Sequence, residues 1–340
     1  MLVLIVSAWV ASAAGANIVE HFDFRNIDVP LPAVESSGPA ALNNQGQVVG
    51  TYYAKGELHG FMRDSAGRYS RIDVPFPKAT STRPSKINDR GEIVGTYALQ
   101  NDSHAFLRDA LGNFIRIDVP FPGATDTTPL GINNVGQIVG TYSTAFMVHG
   151  FLRDRLGRFT TIDFPTSDLI STKVTGINDA GAFVGIYARG HKYNLHFFLR
   201  DEKGHFMTID SRLSEGTFPD FVTINRVGQI VGYFYDDNKN EHGIFRETDG
   251  AFRKIDAPFP GTMATAPVGI NTLGKVVGTY FTKGRFAHGF IRDARGRFTS
   301  VDVPFPGATD TYPVGIDDHG RIVGEYQVHD RAHGFLAISK

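Results

Sequence analysis

Ile132-Asn133-Asn134-Val135-Gly136-Gln137-Ile138-Val139-Gly140-Thr141-Tyr142 decides the fold, because variants of it occur seven times in the 340-residue chain. The other copies centre on Asn43, Gly46 and Gly50; Asn88, Gly91 and Gly95; Asn178, Gly181 and Gly185; Asn225, Gly228 and Gly232; Asn271, Gly274 and Gly278; and Asp317, Gly320 and Gly324. Aligned on the Asp of each Ile-Asp or Val-Asp pair (Asp28, Asp73, Asp118, Asp163, Asp210, Asp256, Asp302), the copies are spaced by 45 to 47 residues. A period in the forties is the mark of a repeat architecture.

Each repeat holds four strand-like runs, in the third repeat Thr128–Asn133, Gln137–Tyr142, His149–Arg153 and Phe159–Asp163, rich in β-branched and aromatic residues and bounded by turn residues. Asn-x-x-Gly joins the first to the second run and Asp-x-x-Gly (Asp154 to Gly157) the third to the fourth. An Asx residue at the first turn position with Gly at the fourth is type I turn chemistry, so both connections are tight antiparallel hairpins. Gly140, inside its strand, marks the close approach of another backbone. Adjacent apolar pairs such as Ile138-Val139 put hydrophobic groups on both sheet faces. The prediction is an all-β, seven-bladed β-propeller of four-stranded antiparallel blades. The chain ends on a third strand, His333-Gly334-Phe335-Leu336-Ala337, and begins with an unaccompanied fourth strand, Phe22 to Asp28. Pairing of the two completes the last blade, closes the ring and removes exposed sheet edges.

Residues 2–11 form a short apolar run ending in small residues, with Ala14-x-Ala16 as a cleavage site, so residues 1–16 read as a signal peptide and 17–340 as one repeat domain. No basic residue precedes the run, the first being Arg25. The expected location is secreted or periplasmic. A formal net charge of −1, with 20% charged residues, gives no field for nucleic acid or an anionic membrane. The absence of cysteine excludes disulfides, thiol catalysis and Cys-ligated zinc. No membrane span, no cofactor and a monomer are expected.

The recurring Gly-Ile-Asn-x-x-Gly-x-Ile-Val-Gly-x-Tyr, His-Gly-Phe-Leu-Arg-Asp and Phe-x-x-Ile-Asp-x-Pro resemble the bacterial extracellular repeat proteins of the HAF family. The literal motif is His104-Ala105-Phe106; His59, His149, His288 and His333 open His-Gly-Phe, while His196 and His242 open His-Phe-Phe and His-Gly-Ile. The resemblance spans residues 22–337 and implies a secreted, propeller-like protein, without supplying catalytic residues.

The seven repeat histidines (His59, His104, His149, His196, His242, His288, His333) could suggest metal or acid–base chemistry. A group used in every repeat reads instead as structural, and spread around a ring the seven cannot converge on one ion. Phe76, Phe121, Phe259 and Phe305 of the Pro-Phe-Pro crossovers are expected to plug gaps between blades. Segment lengths are constant except between second and third strands, where the Gly-to-His distance is 9, 10 or 11 residues. Variable loops on a rigid scaffold are where binding resides. The candidate ligand-binding residues are therefore Arg189, His191, Lys192, Tyr193, Tyr235, Asp236 and Asp237, in the altered loops of repeats four and five. Asp236-x-Asn238-x-Asn240-Glu241 alternates oxygen ligands as a calcium loop would, but lacks its glycine and distant glutamate. No metal site and no catalytic residue is assigned. The expected function is a non-enzymatic scaffold binding a glycan or protein. The alternative is a polysaccharide-active enzyme, a lyase or glycoside hydrolase, with its site at the propeller mouth.

Overall fold

A computed structural model describes residues 21–340 other than 101, 191–193, 210–217, 237 and 285. The proposed leader, residues 1–16, lies outside the described residues. Among those described there are 28 strands and no helix, hence no helix long and apolar enough to cross a membrane.

The expected meander is present. In the third repeat Thr125–Ile132, Ile138–Ser143, Val148–Arg153 and Phe159–Ile162 pair antiparallel in chain order. The turn residues act as their chemistry predicts: Gly136 N–H donates to Asn133 O (3.1 Å), and Gly136 takes φ 84°, the left-handed region where glycine carries no Cβ penalty. Asn133 Oδ1 accepts from Gln137 N–H (2.8 Å), and Asp154 Oδ1 accepts from Arg158 N–H (2.9 Å) in the second hairpin. Five sheets are separate four-stranded units. The third and fourth repeats instead share one eight-stranded sheet, because Val148 makes a single parallel pairing with Ser171 in the next first strand. Phe22–Asn26 pairs antiparallel with Arg331–Ser339 (Phe24 opposite Ala337), and His333 Nδ1 lies 2.7 Å from Asp28 Oδ2, so the two chain ends build one sheet.

The core lies between successive sheets. Second strands contribute a pair buried on both faces (Ile138-Val139, Val276-Val277), and third strands a fully buried Phe such as Phe106 or Phe151. Each such ring is worth about 1.5–3 kcal/mol on burial. The crossover rings plug the gaps as expected: Phe76, Phe121, Phe259 and Phe305 lie 4.6–5.7 Å from Tyr97, Tyr142, Tyr280 and Tyr326. First strands lie side by side, and Thr311–Ile316 of the last repeat lies against Val34–Leu42 of the first.

A polar thread links the repeats. Asn43 Nδ2 donates to Asn88 O (2.9 Å), Asn88 to Asn133 O (3.0 Å), Asn133 to Asn178 O (2.9 Å), Asn225 to Asn271 O (2.8 Å) and Asn271 to Asp317 O (2.9 Å). Most first strands carry a β-bulge two or three residues before the turn, as between Pro129 and Gly131. The fifth has its only irregularity earlier, between Pro219 and Phe221.

Gly140 is required by contact. A Cβ there would lie 2.1 Å from Thr128 O and 2.9 Å from Phe151 Cε1. Gly140→Ala is expected to destabilise the protein by about 1–3 kcal/mol through overpacking. Denaturant titration measures this, and an unchanged midpoint would contradict the close approach.

Candidate active site at the channel mouth

The end of the first strands away from the Asn-x-x-Gly turns is where the crossovers and variable loops lie. At that level seven residues pair with the residue following the strand glycine: Gly38 with Thr51, Arg83 with Thr96, Thr128 with Thr141, Lys173 with Ile186, Phe221 with Tyr233, Ala266 with Thr279 and Tyr312 with Glu325. Because the first strands adjoin one another, these residues form one tier of the mouth. The tier is chemically uneven. Arg83 and Lys173 are exposed, and neither forms an ion pair among the described residues. Phe221 stacks on Tyr233 at 5.9 Å.

Glu325 stands where four repeats have Thr. Its side chain reaches over Gly38 of the first repeat, so closely that a Cβ on Gly38 would sit 1.9 Å from Oε1. No group among the described residues donates a hydrogen bond to it, and burial pushes its carboxyl above the usual range. Burial, then the nearby Asp310 charge, raises Tyr312 opposite it. A neighbouring pocket of about 360 Å³ is lined by Glu35, Ser36, Tyr53, Gln327, Asp330 and Arg331. On the fifth repeat Tyr233 O–H donates to Asp220 Oδ2 (2.9 Å), and burial together with that carboxylate holds its phenol far above its ordinary value. Tyr235 is pushed up to about 12 by burial and the charges of Glu241 and Asp220. Both phenols are neutral proton donors at pH 7.

The opposite end of the first strands encloses a cavity of about 250 Å³ lined by the turn residues of all seven repeats. Arg226 stands there among Asp89 (2.5 Å), Asp179 (2.8 Å) and Asp318 (3.8 Å), while Asn44 and Asn134 bridge the carboxylates. Its charges are already paired.

Of the residues expected to bind a ligand, His191, Lys192, Tyr193 and Asp237 lie outside the described residues. Arg189 is exposed and pairs with Asn194 at its hairpin end, and Tyr235 pairs with Glu241. Asp236 serves its own turn: its oxygens accept from Asn238 N–H (2.9 Å), Asn240 N–H (2.8 Å) and Asn240 Nδ2 (3.1 Å), with His242 Nε2 at 3.3 Å. These bonds occupy the oxygens that a calcium loop would direct at an ion. The repeat histidines form a repeated pair: Nδ1 of His59, His104, His149, His242 and His288 lies 2.8–3.1 Å from Asp73, Asp118, Asp163, Asp256 and Asp302. His333 takes Asp28 in the same way, and the counterpart of His196, Asp210, lies outside the described residues. Glu325, Tyr312, Arg83 and Lys173 were not singled out from the sequence. Their signal in the sequence is a change of residue type at constant spacing, which the variation in loop length does not carry.

No protein-family model matches the chain, and no curated protein matches it. Solved structures do. Virginiamycin B lyase from Staphylococcus aureus superposes with a TM-score of 0.58 at 13% identity, over 94% of this chain and 100% of that one. Oligogalacturonate lyase from Vibrio parahaemolyticus gives 0.65 at 10% identity, over 94% and 97%. A prolyl endopeptidase gives 0.63 at 10% identity, over 91% of this chain and 51% of its own. At such identities the likeness establishes the fold: β-propeller-like and all-β. It also corrects the expectation of a non-enzymatic scaffold. Lyases and a peptidase are among the proteins that match along nine-tenths of this chain.

The raised Glu325 carboxyl makes a signed prediction. The unfolded chain releases this proton more readily than the folded one, so stability falls as pH rises through the ordinary carboxylate value and on through the raised one. Glu325→Gln should therefore be the more stable protein at pH 7, with the gain vanishing below about pH 4. Thermal melts of both proteins across that window test it, and a variant less stable at pH 7 contradicts the burial argument.

Proposed function

We propose that the meanders close as a seven-bladed β-propeller whose mouth is the active site of a polysaccharide-active enzyme, a lyase. Side-by-side first strands, the thread of asparagine amides and the pairing of Phe22–Asn26 with Arg331–Ser339 support the ring. The single observation that carries the activity is Glu325 opposite Tyr312 on the mouth tier: an unpaired, strengthened carboxylate base beside a neutral phenol.

These groups suit β-elimination from a carboxylate-bearing sugar. Glu325 removes the proton α to the sugar carboxylate. The electron pair left behind forms the new C=C bond as the adjacent C–O glycosidic bond breaks. Tyr312 delivers a proton to the departing oxygen, so atoms and charge balance. Arg83 and Lys173, cationic and without ion pairs among the described residues, offset the charge that builds on the sugar carboxylate. Hydrolysis at two carboxylates is less well served. Glycosidases set two acids about 5–10 Å apart across the bond. In the tier of Glu325 the equivalent residues are Thr51, Thr96, Thr141, Ile186, Tyr233 and Thr279. A polymeric substrate also accords with export and with the HAF-like repeat, both part of this reading.

The test is incubation of the full chain with polyuronates and neutral glycans, following ultraviolet absorbance of the new C=C bond. Absorbance should rise with a polyuronate alone. Glu325→Gln should lower kcat by about 10²-fold or more, and Arg83→Ala should act mainly on KM. Cleavage without the unsaturated product, or an unaffected Glu325→Gln enzyme, refutes the assignment.

A further inference from the structure

The pocket of about 360 Å³ beside Glu325 takes no part in the chemistry above. It lies where the last repeat meets the first, between Val34–Leu42 and the hairpin of Ile322–Val328 with Arg331–Ser339. Its place follows from register. Ser36 pairs with Tyr53 as Gly38 pairs with Thr51, and Gln327 pairs with Ala332 as Glu325 pairs with Gly334. Alternate residues of a strand share a face. Ser36, Tyr53 and Gln327 therefore stand one step nearer the rim than Gly38, Thr51 and Glu325, on the same faces. The volume falls within the range of small-molecule pockets, about 300–1,000 Å³.

All but one of the lining residues bring a polar side chain: Glu35, Ser36, Tyr53, Gln327, Asp330 and Arg331. None of these side chains has a hydrogen-bond or ion-pair partner among the described residues. Gln327 shows this most clearly. Its carbonyl accepts from Thr309 N–H (3.1 Å) and its N–H donates to Asp310 O (3.2 Å), while its amide stays unused. Asp330 stands in left-handed backbone, φ 61°, in the tight turn between the last two strands. The same turn of the first repeat has Gly56, φ 81°. A carboxylate thus occupies a place that suits glycine better. Tyr53 is 38% exposed, which leaves its ring face open to the pocket. The corresponding residues of the second and third repeats are Ala98 and Ser143, so the repeat itself does not demand an aromatic there.

We propose that this pocket is a substrate subsite for an uncharged pyranose unit, the neighbour of the uronate at Glu325. The assignment rests on the lyase reading and narrows its substrate to a heteropolysaccharide in which uronates alternate with neutral sugars. The C–H groups on one face of a pyranose carry slight positive charge and pack on the negative face of an aromatic ring, here Tyr53. Sugar hydroxyls both donate and accept. Glu35 and Asp330 accept from them, while Gln327 and Arg331 donate to their oxygens. Side chains without partners of their own supply such bonds without first breaking others. Charge then chooses between sugar classes. Two carboxylates against one guanidinium give the lining a formal charge of −1, which repels a second uronate and is indifferent to a neutral ring. The mouth thereby sorts its sugars, with cationic Arg83 and Lys173 for the uronate and the acidic pocket for its uncharged neighbour.

Binding is read without turnover. Ligand-observed NMR of the full chain with lactose, N,N′-diacetylchitobiose and digalacturonate should show saturable binding of a neutral disaccharide, tighter than that of digalacturonate and insensitive to salt. Tyr53→Ala should weaken it by about tenfold. Asp330→Gly should weaken it too, and because the turn then carries the residue its φ favours, the thermal midpoint should not fall. On polymers, hyaluronan, with its alternating neutral sugar, should be cleaved with a lower KM than polygalacturonate, and Tyr53→Ala should raise that KM with kcat little changed. Tyr53-dependent binding with no cleavage of either polymer refutes the lyase reading alone. No saturable binding of either neutral disaccharide, tighter binding of digalacturonate, or binding indifferent to both substitutions overturns the subsite.

Discussion

In five of the repeats one asparagine amide sets both the local turn and the spacing to the next repeat. Its Oδ1 accepts from the N–H four residues on, as Asn133 does from Gln137, while its Nδ2 donates to the equivalent carbonyl of the next repeat. The group is buried, so leaving either half unmade would cost about 1–3 kcal/mol. The last repeat tests the rule by breaking it. Asp317 can accept, and does so from Arg321 N–H (2.9 Å), but a carboxylate cannot donate onward. Arg321 supplies the missing donor: its Nε bonds Asp317 Oδ2 and its Nη2 reaches Asn44 O (2.8 Å). The buried charge is thereby paired, and the link from last repeat to first is kept with different chemistry.

Meanders, turns and the pairing of the chain ends were legible in the sequence because each rests on a residue with one physical use. Gly136 has a positive φ, Gly140 meets a carbonyl, and Phe22–Asn26 pairs with the last strand. The fifth repeat's register was not legible. Its Ile-Asp-to-Asn spacing equals that of the others, yet its first strand lacks the bulge beside the turn and carries its irregularity earlier. A shortening and a lengthening cancel in the count. The site escaped for a related reason. Glu325 alters the kind of side chain at unaltered spacing, and what makes it unusual is burial without a partner, a property of three dimensions.

A series of near-identical repeats poses a difficulty for chemistry. Every hydrogen bond that builds the wall is made several times over, so no repeated group can be the one that reacts. A reactive group must replace a repeated one, and the wall must make room for it. Glu325 shows how. The residue at the same level of the adjoining repeat is Gly38, where the other repeats have Arg83, Thr128, Lys173, Phe221, Ala266 and Tyr312. Any side chain at position 38 would occupy the place of the Glu325 carboxyl. The glutamate and the glycine are therefore one feature distributed over both ends of the chain, and it exists only because the last repeat lies against the first. The vacancy beside this side chain keeps it poorly hydrated, the condition that moves a carboxyl up. The packing that makes the wall regular is thus also what makes its exceptions reactive.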